Sequence, residues 1–298
     1  FSIIFMFRIA LFLGTNIAIL LVLSLSMSLF GVTGILNENG VDLDISSLLF
    51  ISAIIGFAGS FISLLISKWI AKRSMGVILL EIPRNETEKW LLNTLSDISH
   101  KAKIKTPEFG IFESQQLNAF ATGSSKNKSL VAISSGLINH MNRDEIEGVI
   151  AHEISHISNG DMITMTLIQG IINTFVIFFS RVIGHVVDRV VFKVQRGHGP
   201  AYYIISILVQ ILLSILANII VMWFSRKREY EADLSAAKLV GADKMIAALK
   251  ILAIKSPHAL PDQMAAFGIS GKKEKSYKSL FSSHPSIESR IESLLRNS

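Results

Sequence analysis

The sequence contains no cysteine. That absence excludes a disulfide framework and a thiolate metal site, so any metal must be held by imidazole and carboxylate groups. Charge is also scarce: Asp, Glu, Lys and Arg make up 17% of the 298 residues, against 50% apolar residues and a mean hydropathy of +0.48. The apolar residues gather into long uninterrupted runs instead of following a helical or strand period, which points to a bilayer as solvent. The net charge of +6 does not indicate a nucleic-acid partner. The basic residues largely flank the apolar runs, where they serve orientation and headgroup contact.

Four runs are long enough to cross a hydrocarbon core, which takes roughly 20 apolar residues in a helix. They cover residues 9–30, 48–70, 162–180 and 202–224. Met6-Phe7-Arg8 ahead of the first run has the form of a natural start. That run is too long for a signal-peptide core and ends without a small-x-small cleavage site, so it reads as an anchor. Glu38, Asp42 and Asp44 lie between the first two runs, and Lys68, Lys72 and Arg73 follow the second. Positive-inside logic therefore places residue 71 onward in the cytoplasm.

Residues 81–161 belong to a different solvent environment, with charge throughout. Trp90, Leu91, Leu95 and Ile98 have helical spacing, Pro107 breaks the chain, and residues 108–113 alternate like a strand. Residues 118–122 and 129–134 read as further strands around a turn at residues 123–127. The chain is soluble and helical again from residue 226, apart from a Gly, Ser and Lys-rich loop at residues 268–278.

His152-Glu153-Ile154-Ser155-His156 is H-E-x-x-H. Residues four apart on a helix lie about 40° apart around its axis, so both imidazoles reach one ion with Glu153 beside them. Asn142 and Glu145 form a capping-box pattern at the start of that helix, and Ile146, Ile150, Ile154 and Ile157 line the face away from the histidines. The helix boundaries suit a surface site. Zinc requires a third protein ligand and an open position for water. A metzincin would place a third histidine at position 162, which is Met162. The best candidate is the segment from Arg226 to Asp233, just after the fourth run, where Glu229 and Asp233 share a helix face and Ala232 and Ala236 permit close approach. Glu229 would bind zinc, and Asp233 would orient a ligand imidazole through its free N–H.

Taken together, H-E-x-x-H followed by Asn159-Gly160-Asp161, the segment Ser225 to Asp233, the stretch Asn118 to Gly123, and His284-Pro285 with Arg290-Ile291 resemble the HtpX-type membrane protease family, relatives of the CAAX prenyl endopeptidases. The resemblance covers nearly the whole chain in order. It implies that His152, His156 and Glu229 hold one Zn2+ per chain, that Glu153 is the catalytic base, and that Asn118, Ala119, Phe120 and Ala121 lie along the substrate cleft. His284 matches the family's His-Pro element and is the candidate second donor to the oxyanion, with Arg290 in support. The expected fold is an α-rich integral membrane protein: four hydrophobic helices plus a cytoplasmic α+β zincin-like (gluzincin) domain with a small sheet. Its parts would be a transmembrane hairpin at 1–75, protease segments at 76–161 and 226–298, and a second hairpin at 162–225.

The expected reaction is hydrolysis of peptide bonds in misfolded or damaged membrane proteins, at the cytoplasmic face of a bacterial inner membrane, as part of protein quality control. An extended substrate would add as a strand near residues 118–122. His156 and Glu229 can share an ion only if the chain between them crosses the membrane an even number of times, and two runs satisfy this. The connection between those runs carries Arg181, Arg189, Lys193 and Arg196 against Asp188, which positive-inside logic resists exporting. A spanning pair with an external loop is the expectation; a hairpin that does not fully span, with Gln169 and Asn173 weakening the third run, is the alternative. An ion transporter is disfavoured because the runs contain almost no ionisable residue. An intramembrane protease is disfavoured because the motif lies in a polar setting, and an inactive zinc scaffold because Glu153 is intact.

Overall fold

The structure is a computed structural model, and it describes residues 43–255 and 282–297. The expected anchor at residues 9–30 and the loop at 268–278 lie outside the described residues. The chain divides into two compact units, one built from residues up to Phe61 with Thr166–Asn218, the other from Ile62–Met165 with Ile219–Ser298.

The first unit is helical. It contains the beginning of α1 (Ile45–Met75), most of α5 (Asp161–Val186) and the first part of α6 (Pro200–Val240). Asp44 starts α1 by accepting hydrogen bonds from the Ser47 amide at 3.1 Å and the Ser47 hydroxyl at 2.6 Å. Close approach of α1 and α5 depends on Gly56, where a Cβ would stand 2.7 Å from the backbone nitrogen of Thr174. Two polar side chains of α5 are paired within the helix pair: Gln169 Nε2 donates to Asn173 Oδ1 at 2.9 Å, and Asn173 Nδ2 donates to Ser60 Oγ at 3.4 Å. This pairing is why Gln169 and Asn173 leave α5 unbroken. A turn of π-helix at Val187–Val191 follows. Within it the Asp188 carboxylate accepts the Gly199 amide at 2.9 Å.

Among the described residues, three helices are long and apolar enough to cross a membrane, spanning 31, 31 and 41 residues when the π turn is included. At 1.5 Å per residue even the shorter two reach about 46 Å, beyond the roughly 30 Å hydrocarbon core. The third differs from expectation in one respect. Helix α6 does not stop where the apolar run ends but continues through Glu229 and Asp233 to Val240.

The second unit is α+β. A four-stranded sheet of β1 (Ile78–Leu79), β2 (Glu108–Phe112), β3 (Ala119–Ser125) and β4 (Lys128–Ser134) has the order β1-β2-β4-β3. Its β2–β4 pair is parallel and the others are antiparallel. The helices are α2 (Glu86–Lys101), α3 (Ser135–His140), α4 (Arg143–Asn159), α7 (Ala242–Lys255) and α8 (Ile287–Asn297). Helix α4 lies at the centre of one apolar core shared with the sheet, α2 and α7. Ile146, Ile150, Ile154 and Ile157 are all buried in it, as the helical period requires. The capping box forms as read: the Asn142 amide donates to Glu145 Oε2 at 2.8 Å and the Glu145 amide to Asn142 Oδ1 at 3.0 Å.

Candidate metal centre

Helix α4 ends at Gly160, which sits in the left-handed region at φ 79° and ψ 29°. A glycine meets that backbone demand without strain, and it lets α5 begin at once with Asp161. The reversal has a chemical consequence. Asp161 Oδ2 lies 2.6 Å from His156 Nδ1. On the other imidazole, Asp233 Oδ1 from α6 lies 2.9 Å from His152 Nδ1.

With each Nδ1–H given to a carboxylate, both Nε2 atoms present lone pairs. They lie 3.1 Å apart. Glu229 closes the triangle, with Oε1 at 3.3 Å from His156 Nε2 and Oε2 at 3.5 Å from His152 Nε2. Tetrahedral zinc, with bonds of about 2.0–2.1 Å, sets its ligand atoms about 3.3 Å from one another. Three acceptor atoms at that spacing repel one another unless a cation lies between them, so the donor set fits a metal in both chemistry and size. Among the described residues this is the one such group of three.

The surrounding field favours positive charge. Burial alone would lower the His156 pKa, but Glu229 and the hydrogen bond to Asp161 outweigh it and push it up to about 10. His152 is raised against the same burial by Asp233 and Glu229. Burial pushes the Glu153 carboxyl upward, with His152 and His156 opposing.

Glu229 and Asp233 reach the centre because Ala232 and Ala236, both fully buried, leave room for α6 against its neighbours. Arg290 of α8, also fully buried, holds Asp233 bidentately, with Nε to Oδ2 at 2.7 Å and Nη2 to Oδ1 at 2.6 Å. Its Nη1 lies 3.5 Å from Glu229 Oε2. His284 Nδ1 comes within 2.7 Å of Glu229 Oε2, although the two are not aligned as a hydrogen bond.

The structure therefore brings together His152, Glu153, His156, Glu229, Asp233, His284 and Arg290. It corrects the expectation of a surface site: His152 is 0% and Glu153 3% exposed, because α6 and the segment before α8 cover the motif. Asn118, Ala119 and Phe120 are buried as well. Phe120 turns inward against Phe112, with ring centroids 5.6 Å apart. With these three side chains buried, residues 118–120 offer a ligand mainly their backbone. β3 is an edge strand, hydrogen-bonded to β4 alone among the described residues.

Two residues were not assigned a role from the sequence. Asp161 and Arg228 were visible only as parts of a family pattern. Arg228 Nη1 donates to the Asp161 carbonyl at 3.0 Å and lies 3.9 Å from its carboxylate. The usable signal was an acidic residue five positions beyond the second histidine, directly after a helix-ending glycine.

Comparison with known proteins gives the same picture. Residues 85–298 match the family described as "Peptidase family M48". The chain belongs to peptidase family M48. As an M48 member it is a metalloprotease, and its apolar helices make it a membrane protein. It is 59% identical over 291 residues to "Protease HtpX" of Pseudoalteromonas atlantica, covering 97% of this chain and 99% of that one. It is 56% identical over 288 residues to "Protease HtpX" of Thioalkalivibrio sulfidiphilus, with 96% and 98% covered. The crystal structure of S. mikatae Ste24p shares the fold, with a TM-score of 0.61 at 20% identity over 93% of this chain and 67% of that one.

Proposed function

We propose that this M48 member is a zinc endopeptidase in which His152, His156 and Glu229 hold the ion and Glu153 is the general base. The observation that supports this reading is the triangle of three acceptor atoms 3.1–3.5 Å apart. Bound there, zinc would supply a Lewis acid for the scissile carbonyl and a lowered pKa for water. Glu153 takes a proton from the attacking water and returns it to the leaving amine, a task helped by burial that raises its carboxyl. Asp233 and Asp161 hold the imidazoles in the tautomer that turns Nε2 to the ion. His284 Nε2 has no hydrogen-bond partner among the described residues and is the donor to the developing oxyanion, with Arg290 fixing the carboxylates behind it.

Substrates are unfolded or damaged membrane proteins that pair by main-chain hydrogen bonds along residues 118–121 of the β3 edge, a mode with little demand on sequence. The centre faces the cytoplasm of a bacterial inner membrane, consistent with Lys68, Lys72, Arg226 and Lys227 beside the apolar helices. Metal analysis of purified protein beside Glu229→Ala and Glu153→Gln tests the assignment. Glu229→Ala should lose metal; Glu153→Gln should keep it and lose chelator-sensitive casein cleavage. Cleavage retained by Glu153→Gln would refute the base assignment.

A further inference from the structure

Helix α6 carries both an apolar stripe and Glu229. Along α6, Leu208, Ile211, Leu212, Ile215 and Leu216 are all at least half exposed, as is Trp223 at 54%. Arg226, Lys227 and Arg228 follow at once. A lipid-facing stripe that ends in tryptophan and then basic residues marks a headgroup boundary. Glu229 is six residues past Trp223 on the same unbroken helix, a rise of about 9 Å. The other ligand-bearing helix gives an independent measure. His156 precedes Asp161 by five residues, and Asp161 opens a 31-residue apolar helix with only Gly160 between it and α4.

A third helix agrees. On α1, Trp69 is 64% exposed with the Arg73 guanidinium 5.9 Å from its ring centroid. One residue before Trp69, Lys68 Nζ reaches Glu108 of β2 at 2.6 Å, and Lys72 Nζ reaches the same carboxylate at 2.7 Å. The sheet that carries the proposed substrate edge is thus fastened directly to a helix beside its interfacial tryptophan.

We infer that this centre cleaves juxtamembrane segments: peptide bonds within the first few residues outside the headgroups, in polypeptides anchored in the same bilayer. The inference rests on the peptidase reading above and adds to it the position of the scissile bond. An extended chain rises about 3.3 Å per residue, so about three residues bridge the 9 Å between lipid boundary and metal centre. A substrate anchored beside the enzyme presents its bond at high effective concentration. That concentration falls as about the −3/2 power of tether length, so lengthening the tether from about 6 to about 36 residues lowers it about 15-fold.

The test reconstitutes the zinc-loaded full chain in liposomes with two single-span substrates. Both carry the same cleavable sequence, placed about 6 or about 36 residues from the span, with casein added as a soluble reference. The expected result is cleavage of the near site faster by about an order of magnitude, with the preference lost when both proteins are dispersed in excess detergent. Equal rates in liposomes, or a faster far site, would overturn the inference while leaving the peptidase reading intact. No cleavage of any substrate, casein included, would instead overturn the peptidase reading and this one with it. A second measurement needs no activity. Because the chain has no cysteine, Lys227→Cys accepts a single fluorophore, and strong quenching by headgroup-labelled lipid is expected; absence of quenching would place the centre away from the surface and refute the inference.

Discussion

Asp233→Asn separates two roles that one carboxylate plays. Asp233 accepts from His152 Nδ1 at 2.9 Å and from Arg290 at 2.6 and 2.7 Å, with Arg290 fully buried. The amide keeps the shape but removes the charge. At the metal, a lost carboxylate behind a ligand histidine weakens affinity by about 10–100-fold, or roughly 1.4–2.8 kcal/mol. In the fold the cost is larger, because a guanidinium is left buried without its partner; breaking a buried ion pair from one side costs about 3–5 kcal/mol. The two effects are measured separately. Competition with a chromophoric chelator gives zinc affinity, and thermal unfolding of the full chain in one detergent, metal removed, gives stability. Replacing Arg290 as well, as Asp233→Asn with Arg290→Met, removes the orphaned charge. It should recover most of the lost stability but none of the lost affinity. If the single variant binds zinc within a factor of about three of the parent, Asp233 does not orient His152 and the reasoning fails.

Asp161→Asn should weaken zinc by a similar 10–100-fold, with less effect on unfolding because Arg228 keeps its bond to the Asp161 carbonyl; chelator competition reads this, and unchanged affinity would remove Asp161 from the site. Gly56→Leu places a side chain where a Cβ already meets the Thr174 nitrogen at 2.7 Å, so a drop in melting temperature equivalent to about 1–3 kcal/mol is expected, with the donor set and its zinc affinity unchanged. Glu108 is lowered from 4.5, since its hydrogen bonds with Lys68 and Lys72 outweigh the burial that would raise it. A depressed folded-state value means its contribution to stability is present above about 4.5 and is lost as pH falls through the folded pKa. The melting-temperature advantage of the parent over Glu108→Gln should therefore shrink on acidification below that value, and a constant difference from neutral pH to pH of about 3 would contradict the ion pairs.

The parts of this molecule that were legible in the sequence are those fixed by local periodicity. H-E-x-x-H puts two imidazoles on one helix face by spacing alone, and the Asn142–Glu145 capping box lies within one turn. The strands were read with bounds within a few residues of β2, β3 and β4, because Pro107, the turn before Lys128 and alternation all act locally. Glu229 was legible for a different reason: with no cysteine and no histidine at position 162, few acids remained close to an apolar run. What was not legible depends on contacts across chain reversals or long separations. Asp161 meets His156 because Gly160 turns the chain, and no periodic pattern encodes that turn's product. Arg290 meets Asp233 across 57 residues. The burial of His152 could not be read from α4 either, since the elements that cover it come from α6 and the segment before α8. The continuity of α6 was missed because charge after an apolar run looks like the end of a helix, whereas here the same helix continues through Glu229 and Asp233 to Val240.

Burial explains why the centre pairs its charges in so little space. The cluster is almost wholly buried, and an isolated buried carboxylate or guanidinium is costly. Most charges found there are answered by another: Asp161 by His156 and Arg228, Asp233 by His152 and Arg290, Glu229 by both histidines with His284 and Arg290 beside it. A network compensated in this way tolerates burial only as a whole, because deleting one member exposes its partner to the full desolvation cost. Substitutions in it should accordingly be strongly non-additive, with pairs of opposite charge removed together costing less than either alone. The sequence spacing supplies the cluster, but it is this mutual neutralisation that lets it be buried.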